Sequence, residues 1–331
     1  MKALFSKKSL IVFGVYLLVA GLFPFFGSDY FLSVGIIMGL HAIVTIGLSL
    51  VMGYAGQISL GQAAFWGIGA YTTGILTTKW GMSPWFALLI AALIPAIAAF
   101  LMARAIAGLQ GYYLAMATLA MGFIVQIVFG EWESVTGGMG GLVGIPALPL
   151  FDDLGVDFYY LVWGMVTLVL LFSLGIIHSR IGRAFRAIHK SEIAATSIGI
   201  NVANYKLLAF VLSGLFAGIS GGLYANYMGI IDPQPFGLHE SIKFLTMVVV
   251  GGAASVWGAL LGTILIGSIG EVMLILSEHF PMLKGDMDTI VYGAILVLCI
   301  IFMPEGLVPR LQKIMAKRQE EPLPAERKLG A

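Results

Sequence analysis

Charged side chains are scarce in this sequence. Asp, Glu, Lys and Arg together make up 11% of the 331 residues, and hydrophobic residues make up 59%, whereas a soluble domain has roughly 25% charged residues. The composition therefore predicts an all-α polytopic membrane protein, because a helix satisfies its own backbone inside a bilayer. The net charge of +1 leaves no basic field to neutralise phosphates, so no nucleic-acid partner is expected.

The residue patterns of catalytic and metal sites are also missing. The one cysteine, Cys299, lies in an apolar run, so no internal disulfide can form. The five histidines are too far apart, and in too many predicted compartments, to share a metal ion. No Gly-Lys-Ser/Thr follows a glycine cluster, and no Ser or Cys has a base and an orienting acid nearby. We therefore expect no catalytic residue, no metal and no cofactor in this chain.

One long polar interruption, at residues 180–201, carries clustered positive charge. It lies between two apolar runs that are each long enough to cross a bilayer. Its basic residues are Arg180, Arg183, Arg186 and Lys190. Because loops rich in Lys and Arg stay on the cytoplasmic side, we place residues 180–204 in the cytoplasm.

The second half of this interruption has the start and stop signals of a short helix. Ser191 can cap its start, Glu192 suits a helix N-terminus, and Gly199 can end it in a left-handed conformation. The apolar face between the caps consists of Ile193, Ala194, Ala195 and Ile198. A short amphipathic helix of this kind suits docking into a groove on a cytoplasmic partner. The alternative is an ordered loop with a solvated basic flank.

A stretch at residues 53–62 predicts a helix that is broken at membrane depth. Its glycines and polar residues are Gly53, Gly56, Gln57, Ser59, Gly61 and Gln62. Irregular backbone inside a membrane is tolerated where it is buried in protein or lines a cavity, so we expect this segment to approach a transport path. His41, in the preceding apolar run, is a further candidate for that path. The alternatives are glycines that only allow close packing and a histidine that only bonds a neighbouring helix.

The apolar runs predict about ten membrane spans. The distribution of Lys and Arg places both termini inside, with a cytoplasmic tail at residues 305–331. His239 and Glu240 are interpreted as part of an outer loop. The run at residues 241–275 is about twice the roughly 20 residues that one span needs, so we divide it at its central glycines.

A weak internal repeat accompanies these spans. Aligning Trp66 with Trp257 also matches Gly61 with Gly252. Both matches fall at glycine clusters near a predicted inner turn. Transporters are often built from related halves, so two pseudo-symmetric halves are expected.

Four segments together resemble one transporter family. They read GLSLVMGYAGQISLGQAAFWGIGAYTT at residues 47–73, GRAFRAIHKSEIAATSIGINVANYKLLAF at 182–210, GGAASVWGALLG at 251–262 and MPEGLVP at 303–309. In this order they are similar to the permease subunits of branched-chain amino acid ABC importers, of the LivM type. The similarity runs over nearly the whole chain.

The resemblance implies a ten-helix ABC importer permease in the bacterial inner membrane. Its partners would be a second, LivH-like permease, two cytoplasmic ATPases that bind Mg-ATP, and a periplasmic amino-acid-binding protein. It also implies a coupling helix at residues 191–199, where Ala194, Ala195 and Gly199 fit the family's A-A-x-x-x-G core and Arg183 and Arg186 precede it. Two departures stand out: a residue separates the Glu from the two alanines, and no I-x-L-P ending follows.

The solute remains open at this point. Relatives of the same type resemble permeases for urea, short amides and aromatic acids, so these are alternatives to Leu, Ile and Val. An ion-coupled secondary transporter would also have broken helices and repeats, with Glu271 and His41 as its intramembrane candidates. A channel would suit the glycines but would leave the capped basic loop without a purpose.

Overall fold

The structure of this chain is a computed structural model that describes residues 7–26, 28–106, 108–149, 155–279, 287–303, 306–308 and 310. The predicted cytoplasmic position of the two chain ends, and most of the predicted tail at 305–331, lie outside these residues. The all-α prediction is confirmed: over the described ranges, the strands are limited to the antiparallel pair Leu142–Val143 (β1) and Ile230–Ile231 (β2).

Thirteen α-helices lie in the part of the chain that the structure describes. They are α1 (Lys7–Phe26), α2 (Asp29–Ser49), α3 (Gln62–Thr78), α4 (Pro84–Ala105), α5 (Gly111–Glu131), α6 (Glu133–Thr136), α7 (Val156–His178), α8 (Arg180–Lys190), α9 (Glu192–Ser197), α10 (Val202–Met228), α11 (Leu238–Gly251), α12 (Val256–His279) and α13 (Met287–Phe302). A π-helical turn, Leu50–Tyr54, continues α2.

Six of these segments are long and apolar enough to cross a membrane: α2 with its π-helical turn, α4, α5, α7, α10 and most of α12. Four others, α1, α3, α11 and α13, have 20, 17, 14 and 16 residues. The polytopic membrane fold is therefore confirmed at the level of six candidate spans. The count of ten crossings stays a prediction.

Helix α10 lies at the centre of the packing, against α2, α3 and α4. A Cβ added at Gly221 would overlap the carbonyl oxygen of Trp66, and one at Gly218 would overlap that of Ala91. Backbone thus packs directly on backbone. Such close contact is expected between helices in lipid. Lipid tails are as apolar as the helix side chains, so the hydrophobic effect does not drive the helices together and close van der Waals packing does so instead.

Two helix breaks face each other within this bundle. The first follows the π-helical turn of α2, at residues 55–61, and the second separates α11 from α12, at residues 252–255. A Cβ added at Gly53, in the π-helical turn that leads into the first break, would overlap the carbonyl oxygen of Ala253, so this turn lies directly on the second break. The broken helix expected at residues 53–62 is confirmed. Pseudo-symmetry of the two halves stays a prediction.

Candidate functional site

Helix α8 is amphipathic and lies against the end of α7. Phe185 is fully buried on one face, while Arg183 and Arg186 are exposed on the other. The Arg186 guanidinium donates a hydrogen bond to the carbonyl oxygen of Ile177, Nη1 to O 3.0 Å. A cation at a helix C-terminus interacts favourably with the unpaired carbonyls there. The two predicted coupling arginines therefore differ. Arg186 caps the C-terminus of α7 by this hydrogen bond, whereas the exposed side chain of Arg183 presents its charge to solvent.

Helix α9 has both of the caps that its sequence predicts. The Ser191 hydroxyl accepts a hydrogen bond from the N–H of Ala194, with N and Oγ 3.2 Å apart. Gly199 has φ +82°, a left-handed conformation that favours glycine. These residues hold a six-residue helix that would be too short to form alone.

The apolar face expected on α9 is divided between two sides. Ala195 is 1% exposed and packs towards the membrane helices, whereas Ile193 and Ile198 are 83% and 74% exposed. Ala194 is also exposed. The expectation of one continuous apolar face is therefore wrong: two 100° steps carry Ala195 to the side opposite Ile193, and Ile198 lies just beyond the last residue of α9, Ser197, where regular helix geometry no longer sets its direction. The two isoleucines form the outward surface of this segment.

Glu192, at the start of α9, connects three membrane elements. Its Oε1 lies 2.6 Å from Lys206 Nζ at the start of α10 and accepts a hydrogen bond from Gln57 Nε2 at 3.3 Å. Its Oε2 accepts one from Gln110 Nε2, just before α5, at 2.7 Å. Lys206 is 4% exposed. The sequence places Glu192 at a helix start but gives no sign of these partners.

The break at residues 55–61 is enclosed by α5 and α8. Gly56 lies against the last turn of α8, where an added Cβ would meet the Cα of His189 at 3.1 Å. On the other side the N–H of Leu60 donates to Thr118 Oγ1 at 3.0 Å. The two segments that the sequence singles out separately, 53–62 and 180–201, are therefore in direct contact.

The polar side chains in the break, and Gln62 at the start of α3, are buried. Gln57, Ser59 and Gln62 are 3%, 1% and 1% exposed. Gln62 has partners, since Ser213 Oγ donates to its Oε1 at 3.1 Å and its Nε2 donates to the Ser213 carbonyl oxygen at 3.4 Å. Gln57 Oε1 and Ser59 Oγ have no hydrogen-bond partner among the residues described here. Buried polar atoms are nearly always paired with a hydrogen-bond donor or acceptor, so these two oxygens are the exceptions among the polar side chains of the break.

We expect replacements of the two glutamines to have different effects. Gln57→Leu removes an unpaired carbonyl oxygen next to the break and should change which solutes pass, if the break lines the path. Gln62→Leu leaves Ser213 without its partner and should lower stability by about 1–3 kcal/mol with little effect on selectivity. Transport of a panel of amino acids, together with the denaturation midpoint of each variant, checks both expectations. Unchanged selectivity in Gln57→Leu would contradict the path assignment.

His41 lies in a buried ionic cluster. Its Nε2 is 3.4 Å from Glu240 Oε1, and Lys243 Nζ is 3.0 Å from the same oxygen. The imidazole also meets the edges of Trp66 and Phe244, with ring centroids 5.6 and 5.2 Å apart. We call His41, Glu240 and Lys243 the α2–α11 cluster. It joins α2 to the first two turns of α11.

The α2–α11 cluster corrects the outer-loop interpretation of His239 and Glu240. Both residues belong to the first turn of α11, which begins at Leu238, and Glu240 is 9% exposed. Glu240 and Lys243 are spaced i, i+3, a spacing that places them on one helix face. That spacing is the signal that could have assigned them to a helix.

Other titratable groups add no metal site. Over the described ranges, no three His, Cys, Asp or Glu residues are grouped closely enough to hold a metal ion. Glu271 Oε2 accepts a hydrogen bond from the Tyr30 hydroxyl at 2.7 Å. The carboxylate considered for ion coupling thus ties α12 to the start of α2.

Comparisons with known proteins identify the family. The sequence profile described as "Branched-chain amino acid transport system / permease component" matches residues 29–300. The chain is 32% identical to the high-affinity branched-chain amino acid transport system permease protein LivM of Escherichia coli K12, over 88% of this chain and 73% of that protein.

More distant relatives have other names. The chain is 26% identical to the permease protein LivH of Salmonella typhimurium, over 83% of this chain and 93% of that protein. It is 28% identical to the autoinducer 2 import system permease protein LsrC of Yersinia enterocolitica, over 74% of this chain and 60% of that protein. No solved structure matches the chain.

The family match covers more than four fifths of the chain and includes both helix breaks and the α8–α9 segment. It also decides against a secondary transporter and a channel, because the matching proteins are transport-system permease components. The chain therefore belongs to the branched-chain amino acid transport permease family, as a multi-pass permease component of the bacterial inner membrane and not an ATPase.

Proposed function

We propose that this chain is one of two permease subunits of an ABC importer that carries Leu, Ile and Val into the cell. The observation that carries the proposal is the family match over residues 29–300. The solute class follows the name of the LivM relative. The LsrC relative has a different solute in its name, so urea, short amides and aromatic acids stay as alternatives.

The proposed assembly has four kinds of protein. A LivH-like permease would pair with this chain, and the similarity of this chain to LivH along most of its length supports two subunits of related fold. Two cytoplasmic ATPases would bind Mg-ATP, since this chain carries no cofactor of its own in the proposal. A periplasmic binding protein would deliver the amino acid, and each permease would cross the membrane ten times.

The proposed coupling element is the α8–α9 segment within residues 180–204. Helix α9 is held by two caps, is anchored inward by Ala195, and exposes Ile193 and Ile198. Closure of the ATPase pair would press on this surface and tilt the two permeases between outward and inward access, as a rigid-body switch. His41 and the break at residues 53–62 would then lie on or beside the path that opens.

We expect the double variant Ile193→Ser/Ile198→Ser to lose its ATPases. Each isoleucine that becomes buried on docking contributes about 1.5–3 kcal/mol, so losing both should weaken binding about 100-fold or more. Co-purification of the complex in detergent measures this directly. ATP-dependent uptake of labelled leucine into proteoliposomes measures the consequence.

The matched control is Ile230→Ser. Ile230 is 54% exposed but belongs to β2, on the far side of α10 from α9. This variant should keep its ATPases and its hydrolysis. If the α9 double variant binds ATPases as the wild type does, the docking surface lies elsewhere. If the wild-type complex takes up urea or an aromatic acid in preference to leucine, the solute assignment is wrong while the permease assignment stands.

A further inference from the structure

The carboxylate of Glu192 is the meeting point of the cytoplasmic segment and the membrane helices. It contacts Lys206 of α10, Gln110 before α5 and Gln57 in the break, at 2.6, 2.7 and 3.3 Å respectively. These partners come from elements that are 14 to 135 residues away along the chain. A group with three partners on three elements can shift only if those elements shift with it or the bonds break.

The charge distribution makes this contact distinctive. Among the acidic residues whose side chains the structure describes, Glu192 alone lies at the end of the bundle that holds the α8–α9 segment. The cations at that end, over the same residues, are Arg104, Arg180, Arg183, Arg186, Lys190, Lys206 and Arg310. Lys206 is buried, and its ammonium pairs with Glu192. A partly buried pair depends on both partners far more than a surface pair does.

The surroundings of Glu192 also separate it from the docking surface. Its carboxylate turns towards the membrane helices, with its side chain 21% exposed. The neighbouring Ile193, by contrast, is 83% exposed. Docking and transmission can therefore be disrupted independently.

We propose that Glu192 is a positioning residue that transmits movement of α9 to the break at residues 55–61, to α5 and to α10. The inference rests on the proposed function, because it needs an ATPase that moves α9. A displacement of α9 then pulls Gln57, and with it the irregular backbone beside the path. Gln110 and Lys206 carry the same displacement to the starts of α5 and α10. Without the carboxylate, α9 can still be docked and moved, but the membrane helices no longer follow it.

The test uses the complete complex in proteoliposomes, with leucine uptake and ATP hydrolysis measured in the same vesicles. Glu192→Gln keeps the size of the side chain but loses the charge that holds Lys206. We expect assembly and ATP hydrolysis to be retained, and leucine transported per ATP to fall by about fivefold or more. Arg104→Gln is the matched control, since Arg104 is an exposed cation at the same end of the bundle but belongs to α4, outside the α8–α9 segment. Its transport per ATP should stay at the wild-type value.

A charge exchange provides the second arm. Glu192→Lys combined with Lys206→Glu restores an ion pair, and the amide groups of Gln57 and Gln110 can turn to present oxygen in place of nitrogen. We expect this double variant to recover transport per ATP, which a general loss of stability would not allow. If Glu192→Gln does not fold, Gln110→Leu replaces it, because Gln110 is exposed and lies outside the helix. The same drop is expected.

Three results would overturn the inference. Transport per ATP could be unchanged in Glu192→Gln, the charge exchange could fail to recover it, or Glu192→Gln could fold and yet lose its ATPases. The last result would make Glu192 a docking residue. If no ATPase associates with the wild type, the proposed function itself fails and the transmission role fails with it.

Discussion

Glu240→Leu should destabilise the folded permease by about 3–5 kcal/mol. The carboxylate lies 3.0 Å from Lys243 Nζ and 3.4 Å from His41 Nε2. The side chain of Glu240 is 11% exposed and that of His41 is 6% exposed. Removing it leaves the ammonium of Lys243 in a largely buried position without its partner. The midpoint of denaturation of the purified chain in detergent measures the loss. We expect this to be among the most damaging replacements of one polar residue.

The double variant Glu240→Leu/Lys243→Met is the control. It removes both charges and supplies apolar groups of similar size, which is often neutral for a buried pair. We therefore expect it to recover most of the stability that Glu240→Leu loses. If the double variant is as unstable as the single one, the carboxylate acts through His41 or through packing, and the pair with Lys243 is not the source of the effect.

The α2–α11 cluster also illustrates what the sequence leaves out. His41 and Glu240 are about 200 residues apart in the chain, and no local pattern indicates that α2 and α11 are neighbours. With Glu240 interpreted as an outer-loop residue, His41 has no visible partner. The sequence then allows a residue of the transport path, an ion-coupling residue or a histidine that bonds a neighbouring helix, without naming that helix. The contact between His41 and Glu240 shows that the histidine does have a partner on a neighbouring helix.

Local signals, in contrast, predict local structure well here. The caps of α9 depend on Ser191 and Gly199, and both act within a few residues of their own position. The break after α2 follows from glycines that lie in the break itself. Signals of this type need no knowledge of the rest of the fold, because turn and cap geometry is set by nearby backbone.

The direction of side chains on a short helix is less predictable than its caps but more predictable than distant contacts. The sequence places Ile193, Ala195 and Ile198 on one apolar face, but the structure buries only Ala195. In a six-residue helix a small error in register changes which side chains face inward. The contact of Glu192 with Gln57 is harder still, since 135 residues separate them. It emerges only when the broken helix and the α8–α9 segment are both in place.

Gly53→Ala should prevent the π-helical turn after α2 from packing on the second helix break and cost about 3 kcal/mol or more, at the upper end for an overpacked core site. The added methyl group would overlap the carbonyl oxygen of Ala253, and it would lie 2.8 Å from the amide nitrogen of Ala254. These are backbone atoms, which cannot swing aside as a flexible side chain can. We expect little folded protein in detergent extracts and loss of uptake of the proposed solute, leucine.

The matched control is Gly164→Ala, in the middle of α7. An added Cβ there meets no atom within 4 Å, and alanine is the better helix former by about 1 kcal/mol. This variant should fold and transport like the wild type, which would show that a methyl group as such is tolerated in a membrane helix. Equal expression and stability of Gly53→Ala would mean that the breaks do not touch in the assembled protein.

A third outcome for Gly53→Ala would be informative about the mechanism. The variant could fold and bind its ATPases while transport stops. The first break contacts α8 through Gly56 and His189, and the π-helical turn just before it contacts the second break through Gly53 and Ala253. A movement of the α8–α9 segment, as proposed, would therefore reach the junction of the two breaks through these backbone contacts. A methyl group that holds the breaks apart would trap one arrangement of that junction, so a stable but inactive variant would identify the contact as one that must close during each transport cycle.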